Sequence, residues 1–376
     1  MSLAPAISWI EGGAERSARW HSESGLPPPG RVVVADDRIT ADAAFRLASE
    51  GAALLWRGDF QNARQLLQAM ARRIERKPRK PAGTSAPAEA FHMYRLAQAQ
   101  RARTLGMLLL PFDEDYRIPL RRAPEVTAAC SEAYGPPDGP FVASLRELLG
   151  LIGAHEWRKA GVPVPALEAR IHPHYGVFAP VRGEYVDLVA TAPLPAGCTL
   201  AFDIGTGTGV LAAVLARRGV SRIVATDLDP RALACAGENM NRLGLAGRVE
   251  VVSANLFPLG RAPLIACNPP WVPGRAGTPL ERAVYDPGSR MLLGFIEGLA
   301  AHLEPDGEGW LVLSDLAEHL GLRSRDDLLA AFDRGALKVV GRLDAKPRHP
   351  RAADPADPLH AARAAESTSL WRLAMG

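Results

Sequence analysis

The chain has 376 residues, of which 47% are hydrophobic and 23% charged, and a net charge of +3. That balance belongs to a folded globular protein and excludes collagen-like, coiled-coil and wholly disordered classes. The length predicts two domains of ordinary size. No apolar run approaches the roughly 18 residues of a membrane span, and the first twenty residues lack the apolar segment of a secretory leader. Cys130, Cys198, Cys235 and Cys267 are scattered, so they suggest neither a disulfide framework nor a zinc site, and the expectation is a cytoplasmic protein with reduced thiols. Charge divides unevenly: residues 1–160 hold 22 Lys and Arg against 18 Asp and Glu, and residues 161–376 hold 22 against 23. Because 39 of the 44 basic residues are Arg, in an Ala-rich chain, the excess reads as compositional bias of the genome rather than as a binding feature.

Asp59 can cap a helix by accepting hydrogen bonds from the first free backbone N–H groups. Phe60, Ala63, Leu67, Met70 and Ile74 follow in three- and four-residue steps, which places them on one helical face. Pro78 should stop this helix, because its ring disfavours the α conformation at Lys77. Arg72, Arg73, Arg76, Lys77, Arg79 and Lys80 form a basic cluster, read as the solvated end of the helix or as a surface attracting RNA or an RNA-bound protein. The cluster lacks interleaved aromatics, so base stacking is not indicated. Residues 81–87 read as a flexible connection, and residues 89–110 and 141–153 as further helices. Pro163 and Pro165 mark a boundary between a domain at 1–165 and another at 166–376.

From about residue 166 the pattern alternates. Residues 199–203 are a short apolar run ending in Asp203, and residues 210–218 are helical. Residues 222–227 end in Asp227 and precede a helix from Pro230 to about Leu243. Residues 249–253, 264–267 and 310–314 supply three more buried-type strands, and residues 337–343 and 369–373 a closing antiparallel pair, with 346–364 as a loop. Strands alternating with helices predict βαβ units and a parallel sheet covered on both faces.

The strand ends carry the chemistry. Asp203-Ile-Gly205-Thr-Gly207-Thr-Gly209 occupies a strand-to-helix turn, where glycines let the backbone approach a ligand closely. A dinucleotide fingerprint, G-x-G-x-x-G, requires glycine at 210, and that residue is Val210. The turn also lacks the Gly-Lys-Ser/Thr ending of a phosphate loop. Asp227 ends the next strand and can accept both hydroxyls of a ribose, while Asp229 is better placed to cap the following helix. Asn255, past the third strand, can pair with an adenine edge. After the fourth strand comes Asn268-Pro269-Pro270-Trp271. Two prolines remove two backbone donors and fix φ, leaving carbonyls facing outward. The Asn268 carbonyl and the Trp271 ring can then grip a planar –NH2 group.

This ordered set of motifs resembles that of class I S-adenosylmethionine-dependent methyltransferases. The Asn-Pro-Pro-aromatic turn is similar to that of enzymes methylating planar nitrogens: release-factor and ribosomal-protein glutamine methyltransferases, adenine-N6 methyltransferases and rRNA guanine-N2 methyltransferases. The resemblance covers roughly residues 170–320. It implies an α/β fold, a Rossmann-like seven-stranded methyltransferase sheet; the apolar periodicity before it predicts a mainly helical N-terminal domain, expected to select the substrate. It also implies S-adenosyl-L-methionine as cofactor, with the loop of Gly205, Thr206, Gly207 and Gly209 under its methionine part and Asp203 near its ammonium group. Asp227 and the adjoining Leu228 would hold the nucleoside, with Asn255 near adenine. Asn268, also placed at the cofactor, would act with Pro269 and Trp271 on the acceptor. The departures are Ala254-Asn255, where glutamine methyltransferases often have Ser-Asp, and Trp271, where most have Tyr.

The expected acceptor is a protein glutamine of a translation-related partner, with an RNA or DNA base as the alternative. A nicotinamide-dependent oxidoreductase is disfavoured by Val210 and by the proline turn, and a non-catalytic adaptor by the intactness of both motifs. Tyr175-Gly-Val-Phe178 and Arg182-Gly-Glu-Tyr185 resemble the segment covering the cofactor in such enzymes, or a packed turn. His172-Pro-His174 lacks a third ligand at suitable spacing, so no metal is expected. Cys267 reads as a buried strand residue.

Overall fold

The structure, a computed structural model, describes residues 5–76, 86–348 and 350–376. Two compact units are present, Met1–Thr84 with His92–Glu156 and Ser85–Phe91 with Trp157–Gly376. Pro163 and Pro165 fall inside the second unit, in and beside the short strand Val162–Val164. Lys77, Arg79, Lys80 and most of the connection at 81–87 lie outside the described residues.

The first unit, expected to be mainly helical, carries a six-stranded sheet beside its helices. Its strands are β1 (Ala6–Glu11), β2 (Ala14–Trp20), β3 (Arg31–Ala35), β4 (Ala52–Trp56), β5 (Leu108–Phe112) and β6 (Phe141–Ser144), in the order β1-β2-β6-β5-β4-β3. Five helices accompany the strands: α1 (Ala41–Ser49), α2 (Phe60–Arg76), α3 (Pro87–Gly106), α4 (Thr127–Tyr134) and α5 (Leu145–Ala160). The expected α2 is present: Asp59 accepts from Gln61 N at 2.8 Å, and Phe60, Ala63, Leu67 and Met70 are buried. The strands were obscured because β4 and β5 are five-residue apolar runs. Such runs are consistent with a strand buried on both faces, but periodicity cannot separate them from a buried helix segment. The expected helix at 89–110 thus ends inside β5, and the one at 141–153 begins with β6. Gly12 and Gly13, at φ +60° and +80°, make the two-residue turn between β1 and β2 that favours left-handed residues.

The second unit opens with β7 (Val162–Val164) and β8 (Ala169–Ile171), followed by helix α6 (Gly183–Thr191). Its main sheet contains β9 (Leu200–Ile204), β10 (Arg222–Asp227), β11 (Val249–Ser253), β12 (Ala262–Cys267), β13 (Leu303–Ser314), β14 (Leu337–Ala345) and β15 (Thr368–Met375). Their order is β11-β10-β9-β12-β13-β15-β14, so the chain starts in the middle of the sheet, runs to one edge and then crosses to the other. Strands β9 to β13 are mutually parallel, and β15 is antiparallel to both β13 and β14, the closing pair anticipated above. The covering helices are α7 (Val210–Arg217), α8 (Pro230–Arg242), α9 (Arg290–His302), α10 (Leu316–His319), α11 (Arg325–Arg334) and α12 (His360–Ala365), the last inside the stretch expected to be loop.

Alternation in the strands divides this core in two. Ala201, Leu264, Ala266, Trp310, Val312 and Leu370 join the core that includes α6 and α7. Phe202, Ile265, Cys267, Leu311, Leu313 and Trp371 join the one that includes α9 and α11. Successive side chains point to opposite faces of a strand, so a sheet covered on both sides needs apolar residues at nearly every position. Cys267 is accordingly a fully buried strand residue.

At Gly309 in β13, helix α9 comes so close that an added Cβ would lie 2.2 Å from Leu299 Cδ2. Overpacking at such a contact costs about 1–3 kcal/mol. Gly309→Val should therefore lower the unfolding free energy by about that amount in urea titration; an unchanged midpoint and slope would contradict the packing.

Candidate active site

Strand β9 lies between β10 and β12, both parallel to it, with Ile204 opposite Thr226 on one side and Cys267 on the other. Adjacent strands are about 4.8 Å apart. The residues that leave these three strands therefore emerge side by side at one edge of the sheet, where open α/β sheets bind ligands. Gly205, Asp227 and Asn268, widely separated in the chain, are brought together in this way.

The glycine turn follows β9. Gly205, Gly207 and Gly209 have φ of +69°, +56° and +81°, a region that residues with a Cβ rarely adopt. A Cβ at Gly209 would approach Met240 Cε to 2.8 Å, whereas one at Gly207 would meet nothing within 4 Å. Gly209 therefore serves packing against α8, and Gly207 leaves bare backbone at the sheet edge. Thr206 N donates to Thr226 O at 2.8 Å, extending the strand pairing into the turn.

Asp203 points under this turn. Its Oδ2 accepts from Thr206 Oγ1 at 2.6 Å and from Ala212 N at 3.1 Å. Ala212 is in the first turn of α7, whose N-cap, Gly209, has no capping side chain, so Asp203 satisfies an N–H that otherwise has no intrahelical partner. Burial pushes the Asp203 pKa up to about 6, opposed by these two hydrogen bonds and reinforced by the nearby Asp227 charge.

Asp227 is half-buried, and each of its oxygens accepts a backbone N–H: Oδ2 from Gly207 at 3.0 Å and Oδ1 from Asp229 at 2.9 Å. The acid expected to meet a ribose thus also ties the glycine turn to the end of β10, while each oxygen keeps acceptor capacity. Asp229 caps α8 by accepting from Arg231 N at 2.9 Å. Leu228 is 62% exposed beside Asp227. Thr226 Oγ1 donates to Leu256 O at 2.6 Å, fixing the loop that exposes Asn255.

The turn after β12 is rigid for a reason beyond its prolines. Trp271 Nε1 donates to Asn268 Oδ1 at 2.8 Å. The Arg182 guanidinium lies 4.8 Å from the Trp271 ring centroid, and Tyr185 meets the ring edge-on at 6.4 Å. Pro269 is buried beneath the turn. Trp271 is therefore held in place by this chain's own residues rather than standing as an open platform. Arg182 directly precedes α6, and Tyr185 is buried within it, so Arg182-Gly-Glu-Tyr185 packs against the proline turn.

Sequence reasoning missed Asn239. Fully buried in α8, it accepts from His172 N at 2.8 Å and donates to Thr208 O at 3.0 Å, joining the segment before α6 to the glycine turn. An Asn in a helix carries no distinguishing pattern, so only the folded contacts reveal it. His172 Nδ1 lies 2.7 Å from Arg158 O, and His174 Nε2 lies 2.7 Å from Glu238 Oε2. No group of three or more His, Cys, Asp or Glu able to hold a metal occurs among the described residues.

The Asp203 environment gives a pH dependence. An acid whose pKa rises from 3.8 to about 6 on folding stabilises the fold below its unfolded pKa, and that contribution is lost as pH climbs through the folded value. Relative to Asp203→Asn, wild-type stability should fall by about 2 kcal/mol between pH 4 and pH 7, at 1.36 kcal/mol per pKa unit with part of the contribution already lost at pH 4. Denaturation midpoints measured across that range test it, and a constant difference would contradict the assignment.

Comparison with known proteins places the same residues in context. Residues 169–334 match the sequence model of the methyltransferase small domain. A ribosomal protein L11 methyltransferase of Pelotomaculum thermopropionicum is 49% identical over 69 residues, 18% of this chain and 22% of that protein. A release factor glutamine methyltransferase of Cereibacter sphaeroides is 33% identical over 160 residues, 39% of this chain and 56% of that protein. The chain thus spans less than two thirds of the length of these relatives. A solved ribosomal protein L11 methylase from Lactobacillus delbrueckii subsp. bulgaricus aligns over 51% of this chain and 77% of its own, at 18% identity and a TM-score of 0.34. No helix among the described residues is long and apolar enough to cross a membrane. The glycine turn, Asp227 and the Asn268–Trp271 turn all lie within residues 169–334, the stretch that matches the methyltransferase small domain.

Proposed function

We propose that the protein is an S-adenosyl-L-methionine-dependent N-methyltransferase acting on a planar amide nitrogen, with glutamine of a translation-related protein as the acceptor. The observation that carries this reading is the pairing of Ile204 with Cys267, which sets Asn268 beside the glycine turn at one edge of the sheet. A cofactor with a methionine chain and a nucleoside suits that edge. Gly207 offers bare backbone, Asp227 a carboxylate with spare acceptor capacity, and Leu228 an exposed apolar side chain. Bound there, the cofactor supplies a methyl group made electrophilic by the positive sulfur.

The protein's own task is to orient a poor nucleophile. An amide nitrogen is weakly nucleophilic because its lone pair is delocalised into the plane. Asn268 Oδ1 has one lone pair engaged by Trp271 and a second that can accept an N–H from the acceptor. The Pro269 carbonyl accepts the other N–H, so the nitrogen is held by two acceptors. No strong base is required at this turn, since the nitrogen becomes acidic and sheds its proton after alkylation. The first unit, on this reading, selects the acceptor. The names of the relatives, release factor glutamine methyltransferase and ribosomal protein L11 methyltransferase, favour protein over nucleobase.

The deciding experiment incubates cell extract with the protein and a labelled methyl donor, then treats it with protease or nuclease. Label released by protease alone supports a protein acceptor; release by nuclease alone would establish a nucleobase instead. Asn268→Ala should cut turnover by about 100-fold or more, while binding of S-adenosylhomocysteine changes by less than about threefold, since the Asn268 Oδ1 lone pair is used on the acceptor and its place beside the cofactor carries little of the cofactor affinity. Full activity in that variant would remove Asn268 from the reaction. Asp227→Ala should instead weaken S-adenosylhomocysteine binding by about 1–3 kcal/mol, as for loss of a buried hydrogen-bonding group. Unaltered affinity, measured by calorimetry, would exclude Asp227 from the cofactor site.

A further inference from the structure

We propose that Arg182 is a positioning residue that keeps the Asn268 amide in its acceptor-presenting orientation by clamping Trp271. The proposal rests on the reading above, in which Asn268 Oδ1 receives the substrate N–H.

An Asn side chain has two nearly isosteric ends, a carbonyl oxygen that accepts and an NH2 that donates. Only the oxygen can hold an incoming amine or amide N–H, so rotation of the Asn268 amide by half a turn would present a donor to a donor. The indole Nε1–H is a donor only. At 2.8 Å from Asn268 Oδ1, it fixes which end of the amide is the carbonyl and leaves the second lone pair of that oxygen for the substrate. This selection lasts only while the indole stays in place.

Arg182 supplies that constraint. Its guanidinium lies 4.8 Å from the Trp271 ring centroid, inside the roughly 6 Å range of a cation–π contact. Arg182 Nε donates to Glu184 Oε1 at 2.7 Å, and an Arg182 terminal nitrogen donates to Glu366 Oε1 at 3.0 Å. Both glutamates are almost fully buried, at 1% and 0% exposure, and Arg182 retains 16%. One carboxylate would neutralise the guanidinium; two, one in α6 and the other just before β15, fix its plane as well. Ser314 Oγ, at the end of β13, donates to Glu366 Oε1 at 2.6 Å and anchors the far end. A continuous set of contacts thus runs from Ser314 through Glu366, Arg182 and Trp271 to Asn268. Glu366 is nearly a hundred residues from the proline turn and belongs to neither motif.

The test compares Arg182→Lys, which keeps a positive charge but not the planar fork, with Arg182→Met/Glu366→Gln, which avoids leaving Glu366 charged without its partner. Each is made in the wild-type and Trp271→Leu backgrounds. The initial rate of tritiated methyl transfer from S-adenosyl-L-methionine to the acceptor fraction of cell extract should fall by about tenfold or more in the wild-type background, and by less than about twofold once Trp271 is gone. S-adenosylhomocysteine affinity should stay within about twofold throughout, because the clamp acts on the acceptor side. Equal rate losses in both backgrounds, or a loss confined to cofactor affinity, would overturn the proposal. Near-ultraviolet circular dichroism separates this from the parent reading. The spectral difference between wild type and Arg182→Lys should vanish in the Trp271→Leu background, whether or not any acceptor is methylated. Its persistence there would refute the clamp. Absence of transfer by the wild-type protein, with the spectral difference lost as expected, would instead remove the proposed function and leave the contact standing.

Discussion

The parallel registration of β9 with β10 and β12 is the constraint on which the site depends. A one-residue slip between hydrogen-bonded strands would turn every side chain to the opposite face. Here both faces are buried, by two separate apolar cores. The register is therefore set by packing along the whole length of each strand, and the residues following the strands inherit their separation. Gly205, Asp227 and Asn268 come together because apolar residues tens of positions apart interlock in only one alignment.

Onto that frame the structure adds polar cross-ties that each serve two purposes. Asp203 completes the first turn of α7 while holding Thr206, and Asp227 accepts from the glycine turn and from the start of the next loop. Asn239 joins the glycine turn to the segment leading to α6. A glycine-rich turn loses more conformational entropy on ordering than other segments, so fixed acceptors around it reduce what a ligand must order. The same economy holds at the proline turn, where a missing pair of donors, an indole hydrogen bond and a covering guanidinium act on four consecutive residues.

The N-terminal unit shows where pattern reading fails and why. Its helix α2 was recognisable because Phe60, Ala63, Leu67 and Met70 repeat at helical spacing and Asp59 caps them. The sheet was not, because Ala52–Trp56 and Leu108–Phe112 carry no polar side chain, are buried at every position but Pro111, and are too short to display either period. In the second unit equally apolar strands were identified correctly. There β9 and β10 end at Asp203-Ile204-Gly205 and at Asp227, and each is followed by a helix, a contrast that β5 lacks because a long helix precedes it directly.

Local chemistry along the chain was enough to specify the strand-ending acids, the glycine turn, the proline turn and the alternation that forces a doubly covered parallel sheet. These are written in residue type and spacing, and their conformational effects reach only a few residues. Folding alone could specify which partners those groups meet. Asp203 turns under its loop toward α7, Trp271 spends its N–H on Asn268, and Arg182 and Glu366 meet from opposite ends of the unit. Hydrogen bonds and cation–π contacts are short-ranged and directional, so no spacing in the chain encodes a partner that arrives from another element.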